Sequence, residues 1–371
     1  MSALGDVIDL LEAWYDPKWA QSWDSVGLVA GDRGGLVEVI HIAVDPTIEV
    51  AEEAVACGAD LLITHHPLWL GGTDHISGPK GKVFSALRDA GCAHYVAHTN
   101  ADVASPGVSD ALARALGLGD LTVLSGQDDE FDRWVVHVPD AHVQAVLDRV
   151  AQAGGGKLGA YDRCAFVSAG TGTFRPLDGA SPFLGEIGKV ESVAEARIEF
   201  VAPGANRWAI AAAIRAAHPY EEPSFSAVAS RTPSQRGLGR VGRLPVPMTL
   251  NAFVAHVAAR LPATAAGVRA TGDPEALVEC IAVAGGSCLD LEVDASRADA
   301  DVLVTSDAKH HRAQEAGVPV VDVAHWAGEW PWTDELGARL RAALSTVAVS
   351  VSGLVTDPWT MSCANRVDSG S

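Results

Sequence analysis

The chain opens with apolar residues spaced three and four apart, and "ALGDVIDLLEAWYD" predicts an amphipathic helix. The pattern then switches. "VEVIHIAVD" (37–45) is rich in β-branched residues and reads as a strand. "TIEVAEEAVACG" returns to helical spacing and closes on Gly58, a residue type suited to a helix C-cap. "DLLITHH" reads as a strand, "GKVFSALRDAGC" as a helix, "AHYVAHTN" as a strand and "GVSDALARALGL" as a helix. This alternation predicts βαβ units, hence a mainly parallel sheet with helices on its faces. Sheets of that kind place their sites beyond the carboxyl ends of the strands.

After "SGQDDE" the rhythm changes. "FDRWVVHVP" and "AHVQAVLDRVAQAGGG" predict a strand and a helix. "DRCAFVSAGTGTFRPL" is strand-like, then rich in glycine and threonine. "VESVAEARIEFVAP" predicts a strand, "NRWAIAAAIRAAHP" a helix and "PSFSAVAS" another strand. Two such β-α-β units suggest a small ferredoxin-like sheet. "SRTPSQRGLGR" is polar and contains glycine, as an exit linker would. "TLNAFVAHVAARL", "VECIAVAGG", "ADVLVTSDAKHH", "VPVVDVAHW", "TDELGARLRAAL" and "VAVSVSGLV" then resume the α/β pattern. The expected fold is an α/β core with a mainly parallel sheet, interrupted by a ferredoxin-like α+β insertion. Residues 1–128 and 236–371 form the core, and 129–235 the inserted domain.

Composition narrows the function. A formal net charge of −20 argues against general affinity for nucleic acid or an anionic membrane. The start carries no basic, apolar leader, and no run approaches the roughly 18 apolar residues of a membrane span. Six scattered cysteines form no CxxC pair and read as reduced thiols in a cytoplasmic protein.

The chemistry lies at four predicted strand ends. They carry His65-His66; His98 and Asp102 in "HTNAD"; Asp307, Lys309, His310 and His311 in "SDAKHH"; and His325 with Glu329 in "HWAGE". Histidine and carboxylate without cysteine suit Zn²⁺, Mn²⁺ or Fe²⁺. Each piece has a plainer reading. A lone histidine at a strand end is more often just hydrogen-bonded, an i,i+4 His/Glu pair can merely stabilise a helix, and Asp102 can start a turn. Two adjacent buried imidazoles without partners would be costly, and strands from one sheet would bring all four ends together. "AGGSCLD" (284–290) reads either as an anion-binding turn or as a tight strand–helix turn.

"WDSVGL", "ITHHPL", "HTNAD…GVSDALA", "GLGRVG", "VTSDAKHH", "DVAHWAGE" and "LVTDPW" fall in order along nearly the whole chain. Together they resemble the signature segments of the GTP cyclohydrolase 1 type 2 homologue family, also called NGG-one-interacting-factor-three-like. The resemblance implies two divalent metal ions per chain, held by His65, His66, Asp102, His325 and Glu329, with Glu329 as the bridge. It also implies a homohexameric ring and an insertion of the PII-like or CutA-like kind. The chain departs from the family pattern at Ser25, Ser306 and His310, none of them an implied ligand.

The expected activity is metal-dependent hydrolysis of a nucleotide-like or phosphorylated small molecule. His98 or His311 would move a proton and Lys309 would meet a phosphate or developing anion. "GTGTFRP" is not a phosphate-binding P-loop, because it lacks the GK[ST] ending. The alternative is a non-catalytic, metal-binding regulatory or scaffold hexamer whose insertion senses a ligand or partner. The cluster Trp326, Trp330 and Trp332 reads as a pocket wall or interface, or else as core filling.

Overall fold

The structure, a computed structural model, describes residues 2–363 apart from Gly72 and Asp74. The elements begin with β1 (Ser2–Ala3), α1 (Leu4–Trp14), β2 (Gly27–Ala30), β3 (Leu36–Val37), β4 (Val39–Ala43) and α2 (Ile48–Ala56). There follow β5 (Leu61–Thr64), α3 (Gly78–Asp89), β6 (Ala93–Val96), α4 (Thr99–Val103) and α5 (Val108–Ala115). The middle of the chain holds β7 (Gly119–Pro139), α6 (Val143–Gln152), β8 (Phe166–Phe174), β9 (Glu191–Ala202), α7 (Arg207–Ala217) and β10 (Phe225–Thr249). Next come α8 (Leu250–Arg260), β11 (Val268–Ala270), β12 (Leu277–Val283), α9 (Glu292–Arg297) and β13 (Val302–Ser306). The last are α10 (His310–Glu315), β14 (Val320–Val323), α11 (His325–Ala343) and β15 (Ala348–Val351).

The chain separates into two compact units, 1–127 with 235–371, and 128–234. The first contains a five-stranded sheet in the order β15-β4-β5-β6-β2. Its first four strands are parallel, with Val349 opposite Ile40, Ile40 opposite Leu61 and Leu61 opposite Ala93. β2 closes the edge antiparallel to β6. All four residues of β5 are fully buried, which explains an unbroken apolar run where an open sheet would alternate. Helices α1, α5 and α11 cover one face through Ile8, Leu11, Ala111, Trp332 and Leu336. Helices α2 and α3 cover the other through Val50, Ala54, Val83 and Leu87.

The same unit holds strands in the order β11-β14-β13-β12-β10-β7. β12, β13 and β14 are parallel, while β10 and β11 join antiparallel. Their apolar face packs on Leu112 and Leu116 at α5, Phe253 and Val257 of α8, and Trp326 of α11. Helix α11 therefore contributes Trp332 to one core and Trp326 to the other. The tryptophans of this segment thus pack into the chain's own cores, and Trp326 also lines the cleft beside His325. Trp326 and Trp332 are buried, and Trp330 is half-buried against the second core.

In the other unit the connectivity is β7-α6-β8-β9-α7-β10. β9 pairs antiparallel with both β7 and β8. Alternate residues of β7 and β9, Trp134, Val136, Val138, Ala196, Ile198 and Phe200, face Val146, Val150, Ile210 and Ile214 of the two helices.

Three expectations need correcting. The two units do divide within "SGQDDE" and "SRTPSQRGLGR", but neither segment is irregular: they lie inside β7 and β10, strands of 21 and 25 residues that neighbour each other. Polar side chains mislead there, because a strand whose backbone is paired can carry them outward. Helix α11 starts at His325, well before "TDELGARLRAAL", and runs through Gly328 and Pro331. Burial of Trp326, Ala327 and Trp332 on both cores overrides the poor helix propensity of those two residues.

"GLGRVG" also acquires a structural reason. Arg240 is buried, with Nη2 2.6 Å from Asp110 Oδ2 and donating to Ala104 O. Its Nη1 donates to the carbonyls of Gly237 and Gly239 at 2.9 and 2.7 Å. Gly239, at φ +68°, lets the turn bring those carbonyls round. Asp110 in turn accepts from the Gly107 amide and starts α5. Arg240→Met leaves the buried Asp110 carboxylate with only the half-exposed Arg114 at 3.9 Å and should lower stability by about 3–5 kcal/mol. Urea unfolding measures this, and a loss below about 1 kcal/mol would contradict the pairing.

Candidate metal centre

Beyond Thr64 the strand ladder continues for two residues. The amides of His65 and His66 donate to Ala43 and Val44 carbonyls at 3.2 and 2.8 Å. Thr64 Oγ1 donates to His66 O at 2.7 Å, drawing the backbone round ahead of Pro67. Both rings then stand at one place, their centroids 5.1 Å apart. β6 ends nearby, and the chain passes through His98 into α4, which carries Asp102. From the other set of strands, β13 ends next to Asp307, and β14 leads into α11 with His325 and Glu329 in its first turns. The strand ends thus come from two sheets, not one. They meet because α5 and α11 serve both cores.

The three imidazoles share one arrangement. His65 Nδ1 donates to the Ala97 carbonyl at 2.9 Å. His66 Nδ1 lies 2.6 Å from Asp45, and His325 Nδ1 lies 2.6 Å from Asp307. With Nδ1 carrying the proton, each neutral ring presents a lone pair at Nε2. All three face Glu329, which is 3% exposed. Its Oε1 is 2.9 Å from His325 Nε2 and 3.5 Å from His65 Nε2, and its Oε2 is 3.0 Å from His66 Nε2. Asp102 Oδ1 lies 3.7 Å from His65 Nε2. His65 Nε2, Asp102 Oδ1 and Glu329 Oε2 are buried without a well-formed hydrogen bond.

Lone pairs facing lone pairs require positive charge between or upon them. Without a metal, protons take that role. Burial opposes charging of His66, yet Glu329 and Asp45 outweigh it and raise its pKa well above the usual value. The same balance raises His65 and brings His325 up to about 9. Burial pushes Glu329 the other way, but the three imidazoles hold its pKa well below the carboxylate range. Burial raises Asp102. This donor set fits divalent metal: nitrogen and carboxylate ligands, each ring oriented by an acceptor behind it.

His98 belongs to the same cluster. One of its ring nitrogens lies within 4.8 Å of those of His65 and His66, and its Nδ1 is 2.9 Å from Asp24. Burial notwithstanding, hydrogen bonds from His98 and Thr99 lower the Asp24 pKa. Lys309 and His311 are exposed at the start of α10, and no hydrogen bond or ion pair among the described residues joins them to the cluster. A cleft of about 860 Å³ reaches the site, lined by Trp23, His66, His98, Arg269, His325 and Trp359.

Sequence reasoning missed the orienting roles of Asp24, Asp45 and Asp307. The available signal was position, since Asp45 and Asp307 directly follow apolar strands. It also missed what "AGGSCLD" does. A Cβ at Gly286, whose φ is +72°, would lie 2.6 Å from Glu329 Oε1. The turn is bare so that the carboxylate fits.

The fold and the cluster define an α/β protein with a histidine–carboxylate site that could hold metal. The family model described as Duf34/NIF3 (NGG1p interacting factor 3) matches residues 2–358, and the chain belongs to that family. A Mycobacterium leprae relative called GTP cyclohydrolase 1 type 2 homolog is 48% identical, over 99% of this chain and 98% of its own. A Bacillus subtilis relative of the same name is 38% identical over 86% and 87%. The Staphylococcus aureus protein SA1388 has the same fold, with TM-score 0.85, 29% identity, and 97% and 98% of the two chains covered. A Bacillus cereus protein related to NIF3 gives TM-score 0.74 and 34% identity over 96% and 98%. No helix among the described residues is long and apolar enough to cross a membrane.

Two outcomes follow from the geometry. Gly286→Ala should displace Glu329 and abolish most metal uptake while the fold persists, read by elemental analysis beside circular dichroism. Full occupancy would refute the tight fit. Metal must also displace protons from the imidazoles. Against burial, Glu329 and Asp307 push the His325 pKa up to about 9, so affinity for Zn²⁺ should climb as pH rises from about 6 to 9, with protons released. Titration calorimetry in buffers of different ionisation enthalpy checks this, and pH-independent affinity would contradict it. The sign reverses for the metal-free fold. The raised His325 pKa stabilises it below the unfolded value of 6.5, and this contribution fades as pH rises through about 9.

Proposed function

We propose that the core binds two divalent metal ions at His65, His66, Asp102, His325 and Glu329 and acts as a metal-dependent hydrolase on a nucleotide-like or phosphorylated small molecule. One observation carries this reading: a single buried carboxylate faces three Nε2 lone pairs, with its two oxygens turned to different rings. That is what a bridging ligand requires. A metal pair supplies Lewis acidity and lowers the pKa of a bound water towards neutrality. Asp45, Asp307 and the Ala97 carbonyl keep the ring tautomers fixed. His98, held by Asp24 beside the cluster, is the residue positioned to accept or return a proton. The name of the relatives, GTP cyclohydrolase 1 type 2 homolog, favours a nucleotide-like substrate.

The same reading includes a homohexamer in the cytoplasm, with residues 129–235 as an inserted ferredoxin-like, PII/CutA-like domain. The β-α-β-β-α-β order and the antiparallel pairing of β9 support that description of the insert. Exposure of Lys309 and His311 away from the cluster favours a second reading, a metal-binding regulatory protein that does not catalyse.

Elemental analysis after reconstitution should give about two ions per chain. Glu329→Gln should reduce both, and His65→Ala or His325→Ala should lower occupancy. Near-normal occupancy in Glu329→Gln would exclude the bridge. A hydrolase panel with GTP, other nucleotides and phosphoesters separates the two readings. Turnover that His98→Ala lowers by about 10²–10⁴-fold supports the enzyme. A fully loaded protein without turnover supports the regulator.

A further inference from the structure

The inserted unit carries a second built site, independent of the metal centre. Helices α6 and α7 cover one face of its sheet, and the other face presents the alternate residues. There Gly170 stands opposite Glu195, and Arg197 stands between Ser168 and His137. A cavity of about 610 Å³ lies over this face, the size of a small-molecule site. Glu195 lines it. This carboxylate-bearing residue is 8% exposed and makes no ion pair among the described residues. Its carboxylate rests on Gly172, where a Cβ would sit 2.2 Å from Oε2. The Tyr220 hydroxyl lies beside that carboxylate, and burial together with the Glu195 charge raises the phenol's pKa, so the phenol shields Glu195 but brings it no positive charge. Rings surround the space: Phe174 and Phe183 lie 5.7 and 6.3 Å from the Tyr220 ring, centroid to centroid.

A buried carboxylate without a counter-ion calls for a cation. Glu195 and Tyr220 are the acidic groups set into the wall, while Glu221 and Glu222 at the cavity's edge are exposed, so no cage of converging oxygens is formed of the kind a calcium or magnesium ion takes. Aromatic walls instead favour a cation clad in alkyl groups. Glu221 and Glu222 also line the cavity. Arg175 and Arg197 do as well, but Arg197 is paired with Glu199 at 2.9 Å. We propose that this cavity binds a small organic ammonium ion, with Glu195 as counter-ion and Phe174, Phe183 and Tyr220 as its aromatic walls. The β8 stretch "GTGTF" is then the floor that gives the carboxylate room.

Titration calorimetry of the full chain with choline, and with its uncharged isostere 3,3-dimethylbutan-1-ol, tests the proposal. Choline should bind saturably, and the isostere about tenfold more weakly or worse. Glu195→Gln should weaken choline by about tenfold or more. Phe183→Leu, at a half-exposed position that tolerates change, should weaken it about threefold. Far-UV circular dichroism and thermal unfolding of the full chain report that the variants are folded. Equal binding of the two probes would overturn the proposal. So would unchanged binding in Glu195→Gln, or no saturable choline binding up to about 50 mM.

Discussion

The core is organised around one electrostatic demand. Glu329 is a carboxylate taken out of water, and burying such a charge costs several kcal/mol unless opposite charge meets it. Three imidazoles converge on it, and neutral imidazoles cannot meet the demand with lone pairs alone. Either protons or metal ions must lie among these groups. His65 and His66 just beyond β5 and His325 at the head of α11 bring the three rings to it.

The wider structure serves that convergence. Two sets of parallel strands end at the same place because α5 and α11 pack on both apolar faces. Arg240 fixes the start of α5 through Asp110. Gly286 leaves space for Glu329, and Trp332, 5.3 Å from the His65 ring, closes the site on its inner side. Asp45 and Asp307, each at the end of a strand, turn two of the rings. Orientation by strand-end acceptors is thus a property of the fold, and the cleft is where a substrate could reach the rings.

Much of this was legible in the sequence. The βαβ rhythm predicted the parallel strands, and the residue types at three of the four strand ends, with Asp307 from the fourth, pointed to the cluster. Residue type could not separate the side chains that cluster from those that do not. Lys309 and His311 occur in the same kind of segment as His325, yet both are exposed past the left-handed turn at Asp307, with φ +55°. Nor could local pattern foresee α11 running through Gly328 and Pro331, since that depends on tertiary burial of Trp326 and Trp332. The long strands β7 and β10 were hidden by their polar residues. The roles of Asp24 and Asp45 were hidden because a hydrogen bond across the fold leaves no periodic trace.

The most direct test of the central claim is X-ray absorption spectroscopy of the chain reconstituted with Zn²⁺. The first shell should hold nitrogen and oxygen only, with histidine outer-shell scattering and a metal–metal vector of about 3.5–4 Å. That vector should vanish in Glu329→Gln. A sulfur-containing shell, or a lone metal without a metal–metal vector in the fully loaded wild-type chain, would contradict it.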